Sequence, residues 1–485
     1  MRHPEPMETS TSGGRSHRRW LGTLALCATL SLLSVVPLAA QDGCTFGEEG
    51  NDVLRQVTLP GGEAIYYVTR PHLVCEEGIQ IWADSAVAFT TSNMAHLIGS
   101  VRYEDPRRSL VSDEARYFSA VGRLQAEGGL RIEDRDEGSV VENGALVYLR
   151  ETSFRDEESM TVTTGADRVR PRATMSAEAP EADSSAVEAA GSEEPRIYVV
   201  EGDEILSRGG NYLRSVGAVE LTFDSVVAFA DTLEYREATD DMELRGGASV
   251  NAPEYTLTGA RIDLTTPTPQ QREIRALREA VLTGNDLVLT AERIFLFARE
   301  EQLQRLVALP PETDSTLTAP DSASPPTRPH AVADEFEITA DSLDILAPAE
   351  TLERIFAAGR ARSVSHARDS LNVEILPEAA RSDWLEGDTI IVTFVPGAEE
   401  TPDDDTEPRA GAMVERIVAI VAARSLYRMT PSDASALAGE DPPAVHYVVG
   451  DRITIVMRDG EVDRMEVEGA ATGFHLEPLR PGPES

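Results

Sequence analysis

Lysine is absent from this chain: all 44 basic residues of its 485 are arginine. That excludes a phosphate-binding loop built on Lys, a Schiff-base amine and a Ser–Lys nucleophile pair. Aromatic residues are scarce at 5%, cysteines number three, and the eight histidines are scattered with no HExxH and no close pair. A zinc centre therefore has no donor set. Gly-x-Ser-x-Gly and Gly-x-Gly-x-x-Gly are missing as well, so neither a nucleophile elbow nor a dinucleotide loop is present. Basic charge is short overall, 44 against 84 acids for a net charge of −40, which argues against nucleic acid as a partner because such binding rests on neutralising phosphates.

Hydrophobic content is 41%, sufficient for a large core. It is mostly Ala, Val, Leu and Ile, which suits strands that bury one face. The length predicts about three domains. Residues 1–40 read as an export signal: a basic stretch from Arg15 to Arg19, an apolar run from Trp20 to Ala40, then small residues before Gln41. The run is also long enough to stay as an uncleaved anchor. Export places the chain in the periplasm, free or associated with the inner or outer membrane. There Cys44 and Cys75 could form a disulfide that ties down the N-terminal segment, the alternative being two unpaired buried thiols. No second apolar run of membrane-spanning length occurs.

A short pattern recurs: small, acidic, any, apolar, any, apolar. It begins at Ala83-Asp84, Ser112-Asp113, Ala230-Asp231, Ala291-Glu292, Ala340-Asp341, Gly387-Asp388 and Gly450-Asp451, with weaker copies lacking the acid at Asn143 and Gly259. Period-two alternation is that of a strand with one buried face. A second element, apolar-any-Arg-apolar, follows the last four copies at Arg305, Arg354, Arg416 and Arg464. Three of these arginines stand 13 residues after the acid (Glu292 to Arg305, Asp341 to Arg354, Asp451 to Arg464). Such registration predicts strand–turn–strand units that must stack to bury their faces. Only Gln270–Ala280 reads as helical or as a turn between strands.

Segments rich in Pro, Ala, Ser, Thr, Asp and Glu separate the units. They divide the chain into a β block at 41–170, an acidic linker at 171–196, a second block at 197–309, a Pro-rich linker at 310–333, a third block at 334–476 and a tail at 477–485. Further acidic insertions fall at 396–410 and 431–444. Asp403-Asp404-Asp405 within the first of these is better read as a solvated loop than as a calcium site. The recurring acids could serve as glycosidase carboxylates. An acid repeating once per unit is more simply a bend residue accepting local backbone hydrogen bonds, with the arginines pairing to these acids on the exposed face. No catalytic constellation stands out, no cofactor is implied, and the reading is that of a protein that is not an enzyme.

The run Leu110-Val111-Ser112-Asp113-Glu114-Ala115-Arg116-Tyr117 followed by Gly122–Leu130, and Val227–Tyr235 with Met242-Glu243-Leu244-Arg245-Gly246, resemble the OstA-like (organic solvent tolerance A-like) family. This family comprises the lipopolysaccharide-transport proteins LptA and LptC and the N-terminal domain of LptD. The resemblance covers most of residues 76–476. It implies an all-β fold, an open β-jellyroll of stacked antiparallel strand–turn–strand repeats with an apolar groove for lipopolysaccharide acyl chains. It also implies assembly with other OstA-like proteins of a transport bridge, or head to tail with copies of itself, powered by an inner-membrane ATPase. The chain is longer than LptA, carries acidic insertions and lacks the barrel strands of LptD.

The alternating motif positions are the candidate groove residues: Ala86, Ala88, Ala115, Tyr117, Leu233, Tyr235, Ile262, Leu264, Ile294, Leu296, Leu343, Ile345, Ile390, Val392, Ile453 and Ile455. Their alternative role is to fill a closed core. The corresponding alternative for the protein is a structural β-repeat scaffold of the envelope that binds no lipid; a β-helical polysaccharide enzyme is a further rival.

Overall fold

The computed structural model of the chain describes residues 43–47, 51–136, 138–177, 196–268, 271–284, 287–299, 302–312, 328–333, 336–348, 351–366, 376–396, 412–429, 442–458 and 461–478. The export segment at 1–40 and most of the acidic insertions lie outside these residues. Among the described residues there are 32 strands, a few single-turn 3₁₀ segments and no α-helix. Every strand pairing is antiparallel and all strands belong to one network.

The strands are long, and most of the longest are bent once. In Val226–Arg236 the inward residues are Ala228, Ala230 and Leu233, so the period-two alternation skips a beat at Asp231. The skip is a β-bulge. Pairing of Tyr212–Phe223 with Val226–Arg236 jumps from Val216 to Val219, leaving Gly217 and Ala218 opposite Asp231. The same two-against-one mismatch places Asp113 opposite Gly99-Ser100 and Glu292 opposite Arg278-Glu279. It also places Asp388 opposite Gly359-Arg360 and Asp451 opposite Val421-Ala422. Bulges bend the strand that carries them and increase its twist. Aligned from strand to strand, they form a spine that divides the network into two sheets. Sheet I holds the strand halves equivalent to Glu114–Phe118, and sheet II those equivalent to Arg108–Ser112.

The recurring acid therefore has a local backbone role. The Asp113 N–H donates to the Gly128 carbonyl at 2.7 Å and that of Asp341 to Gly359 at 2.9 Å. Most of the carboxylates, though not those of Glu292 and Asp388, lie over a glycine of the next strand: an added Cβ at Gly246 (φ +82°) would sit 2.2 Å from Asp231 Oδ2. Gly217 meets Asp203 in the same way, revealing a motif copy at Gly202-Asp203 beyond those read from the sequence. The arginines do not pair with these acids as expected. Arg305 bonds Asp344 at 2.7 Å and Arg464 lies 3.2 Å from Glu466. The 13-residue step sets Arg305 across from Phe297, five positions along the strand from Glu292.

A threefold repeat organises the spine. Arg70-Pro71, Arg170-Pro171 and Arg328-Pro329 each precede a strand of sheet II, and each proline carbonyl accepts from the residue before the acid: Ala83 at 3.4 Å, Gly202 at 3.5 Å and Ala340 at 3.2 Å. The segments read as linkers thus contain strands at their margins, Arg172–Ala177 and His330–Ala333. Between the first and second repeats the chain changes sheet through loops. Ten strands there close into an antiparallel ring: Arg108–Phe118, Arg123–Glu127, Ala145–Leu149, Ser159–Thr163, Glu204–Arg208, Tyr212–Phe223, Arg196–Glu201, Arg172–Ala177, Val140–Glu142 and Arg131–Asp134.

Gln271–Gly284 is a strand, which corrects the helical reading of 270–280. Its bulge at Arg278-Glu279 spaces Ile274, Leu277 and Val281 at i, i+3 and i+7, an imitation of helical periodicity. Cys44 and Cys75 are joined by a disulfide, closing the N-terminal strand pair Thr45–Phe46 and His72–Val74.

Most bulges put a glycine at their first left-handed position; Val421 (φ +65°) does not and is 58% exposed. Left-handed backbone costs a β-branched residue more than Asn. Val421→Asn is expected to raise stability by about 1 kcal/mol, and Gly246→Ala to lower it by at least about 1–2 kcal/mol. Denaturant midpoints of the two variants check both signs.

Candidate functional site

The two sheets face each other, and their inner residues form one continuous core. Counted from the acid, or from Ala260 where the acid is missing, the candidate positions fall into two rows on sheet I. The row two residues on is Ala86, Ala115, Leu233, Ile262, Ile294, Leu343, Ile390 and Ile453, and all of these are buried, at 4% exposure or less. They are the floor. The row four residues on is Ala88, Tyr117, Tyr235, Leu264, Leu296, Ile345, Val392 and Ile455. Here Tyr117, Leu296, Ile345, Val392 and Ile455 are buried, and only Ala88, Tyr235 and Leu264 remain half-buried. All sixteen therefore face inward or lie on the inner row, and thirteen of them are closed over by the opposite sheet.

The partial opening lies in the second repeat. Tyr235, Met242, Leu264 and Ile274 stand in register on successive strands, a row of about 14 Å at the usual strand spacing. Tyr198, Val250 and Tyr255 face it from sheet II, half-buried and packed against the core. Together with Tyr235, Leu264 and Ile274 they form a half-buried apolar rim, here called the slot, above the buried Leu233, Leu244, Leu257 and Ile262. Tyr198 stacks on Phe223 at 4.6 Å between ring centroids. Arg272 reaches over from sheet I to lie 5.9 Å from the Phe223 ring. Burial, with the charges of Asp240 and Glu237, pushes the Tyr235 phenol above its ordinary range. It stays a neutral rim group that donates to Asp240 Oδ1 at 3.3 Å. The slot's side chains are apolar or aromatic, with the Tyr235 hydroxyl turned to Asp240.

Tyr198, Val250, Tyr255 and Ile274 were not among the residues singled out from the sequence. The first three lie in sheet II, before or between the acid-bearing segments. Ile274 follows a bulge strand with no acid of its own. Extending the period-two alternation across each bulge would have found them.

Two other contacts bridge the sheets outside the second repeat. In the third repeat Phe336 of sheet II meets Phe394 of sheet I at 6.5 Å between centroids. In the first repeat the closure is ionic, around Arg108, Asp134, Tyr148 and Glu158. At the C-terminal end, where Glu461–Glu468 and Thr472–Leu476 part from Ala444–Arg458, a cavity of about 400 Å³ is lined by His446, Val448, Val467 and Phe474 among others. Among the described residues no group of three or more His, Cys, Asp or Glu is placed to hold a metal. Asp403-Asp404-Asp405 lies outside them. No protein-family model matches the chain, and no curated protein matches it.

If the slot is the apolar site, Leu264→Glu combined with Ile274→Glu is expected to weaken binding of an environment-sensitive apolar dye by tenfold or more. Fluorescence titration measures this, with Val332→Glu, an exposed residue on the opposite end of the core strands (37% exposed), as the control expected to leave dye binding unchanged.

Proposed function

We propose that the protein is a periplasmic carrier, an OstA-like β-jellyroll that shields the acyl chains of lipopolysaccharide or a similar envelope lipid on their way to the outer membrane. One observation supports this most: the half-buried apolar slot between Tyr235, Leu264 and Ile274 on one sheet and Tyr198, Val250 and Tyr255 on the other. Burying one methylene there is worth roughly 0.8 kcal/mol. A chain lying in the slot would be retained by area alone, which suits a carrier that must release its cargo. The acidic exterior, at net charge −40, repels lipid phosphates, so head groups point to solvent or are bridged by divalent cations.

The two ends of the network suit assembly into a bridge. Among the described residues Asp52–Thr58 is an exposed strand paired only on its Ala64–Thr69 side. At the other end, again among the described residues, Thr472–Leu476 is exposed throughout and paired only with Ala444–Arg458. Free edges of this kind accept a further strand, from another OstA-like protein or from a second copy in head-to-tail register. No catalytic role is assigned to any residue.

The tight floor favours a second reading, a structural envelope scaffold whose sheets simply pack on each other. Photo-cross-linking in the native envelope separates the two. A photoreactive phenylalanine analogue at Tyr235 or Leu264 is expected to capture lipid. The same analogue at Phe229, an outward apolar residue on the Tyr235 strand with 42% exposure, is expected to capture none. Capture at neither slot position would leave the scaffold.

A further inference from the structure

The three repeats share one spine but close their mouths differently, and the first does so with charge. Arg108, at the start of Arg108–Phe118 in sheet II, is 8% exposed, and Asp134 beside it 4%. The Arg108 guanidinium donates from Nε to Asp134 Oδ2 at 2.9 Å within its own sheet. From Nη1 it reaches across to sheet I, to the Tyr148 hydroxyl at 2.7 Å and Glu158 Oε2 at 2.5 Å. Tyr148 in turn donates to Glu158 Oε2 at 2.9 Å, and Arg107 adds a bond to Glu158 Oε1 at 3.3 Å. Burial works against ionisation of Glu158, but the arginines and the tyrosine hydroxyl outweigh it and hold this carboxyl below its ordinary range. Glu158 therefore faces Arg108 as a carboxylate at neutral pH.

The second repeat supplies an internal comparison. Counting five residues from the bulge into sheet II reaches Arg108 from Asp113, but Val226 from Asp231, paired with Phe223 and through it with Tyr198. Charge at this position in one repeat is matched by apolar and aromatic side chains in the next. The consequence shows on sheet I four residues past the acid: Tyr117 is 2% exposed, whereas Tyr235 is half-buried. In the first repeat the ionic bridge accompanies a buried Tyr117; in the second, where apolar and aromatic side chains take its place, Tyr235 stays half-buried.

We propose that the Arg108–Asp134–Tyr148–Glu158 cluster is a stop, which clamps the two sheets together and bars a hydrocarbon chain in the second-repeat slot from advancing into the first repeat. The inference rests on the carrier reading and adds a boundary to it. The cargo lies in the second-repeat slot, and the first repeat serves as a closed terminus. Removing one member of a buried, hydrogen-bonded charge cluster leaves the others unpaired, which favours parting of the sheets over re-packing. Outside the cluster a polar cavity of about 450 Å³, lined by Glu77, Arg150 and Glu157 among others, gives water ready access once the bridge is broken.

The test uses the full-length protein and a C16 fatty acid carrying a diazirine on its chain, with labelled positions mapped by peptide mass spectrometry. In the parent protein, labelling is expected at Tyr235 and Leu264 and at least tenfold less at Tyr117 and Leu146. Glu158→Arg, which sets like charges against each other, is expected to bring labelling at Leu146 to within twofold of Leu264. It is also expected to speed amide hydrogen exchange in Arg131–Asp134 and Ala145–Leu149 without changing Tyr255–Thr268. Glu158→Gln removes the charge but keeps one acceptor oxygen, is the milder variant should the reversal unfold the block, and is expected to show an intermediate shift in both readouts. Equal labelling of Leu146 and Leu264 in the parent overturns the stop. So does faster exchange in the variants with no spread of label, and so does exchange that stays unchanged. Absence of label from every position in parent and variants overturns the carrier reading, and the stop with it; label confined to Leu264 throughout overturns the stop alone.

Discussion

The backbone bend at each recurring acid is the constraint on which the rest of the structure depends. A strand that pairs on both sides for eleven or more residues would, left straight, give a single flat sheet with one face in water. Here two residues with left-handed backbone oppose one acid, as at Gly217-Ala218 and Asp231, and the strand turns inward. Where an acid of one strand also sits over a glycine of the next, as Asp231 does over Gly246, one bend specifies the position of its neighbour. Misplacing one would flip a run of side chains from core to solvent. The apolar interior is then an outcome of the aligned bends: two sheets hinged on one line have no choice but to face each other.

Much of this was legible in the chain. The acid in the small-acid-x-apolar frame reads correctly as a bend residue, and the positions two residues later, from Ala86 to Ile453, all face inward. The glycines were harder to see, because Gly246 lies 15 residues from Asp231 in sequence and becomes its partner only through strand pairing. Asp203 escaped notice because its frame reads Gly-Asp-Glu-Ile-Leu-Ser, with a polar residue where the second apolar one was sought. Two expectations failed, for different reasons. The bulge at Arg278-Glu279 turned Ile274, Leu277 and Val281 into an apparent helix face, whereas the hairpin register sets Arg305 opposite Phe297, away from Glu292 and beside Asp344. Sequence periodicity is sound within each half-strand and breaks where the backbone departs from ideal pleat.

The candidate site divides along the same lines. Direction, inward against outward, is a property of alternation and was readable. Degree of closure is set by what stands opposite on the other sheet, many strands away along the chain. Tyr117 and Tyr235 occupy matching positions, yet one is sealed beneath an arginine–carboxylate cluster and the other is left at the rim of a slot with Tyr198. The same frame thus supports unequal mouths, through a few side chains at the outermost inward positions. Charge in the first repeat and aromatic rings in the second are substitutions the spine tolerates, since they fall at its greatest distance.

Strands here bond to partners that the chain reaches by hairpins or short crossovers, and all of them run antiparallel. An addition that preserves both the pairing sense and the side of the bend must therefore come as a hairpin, two strands at once. Each such step lengthens the molecule by about 10 Å. The protein behaves as a ruler graduated in hairpins, and its length could be adjusted in evolution by duplication alone, with no new fold to invent.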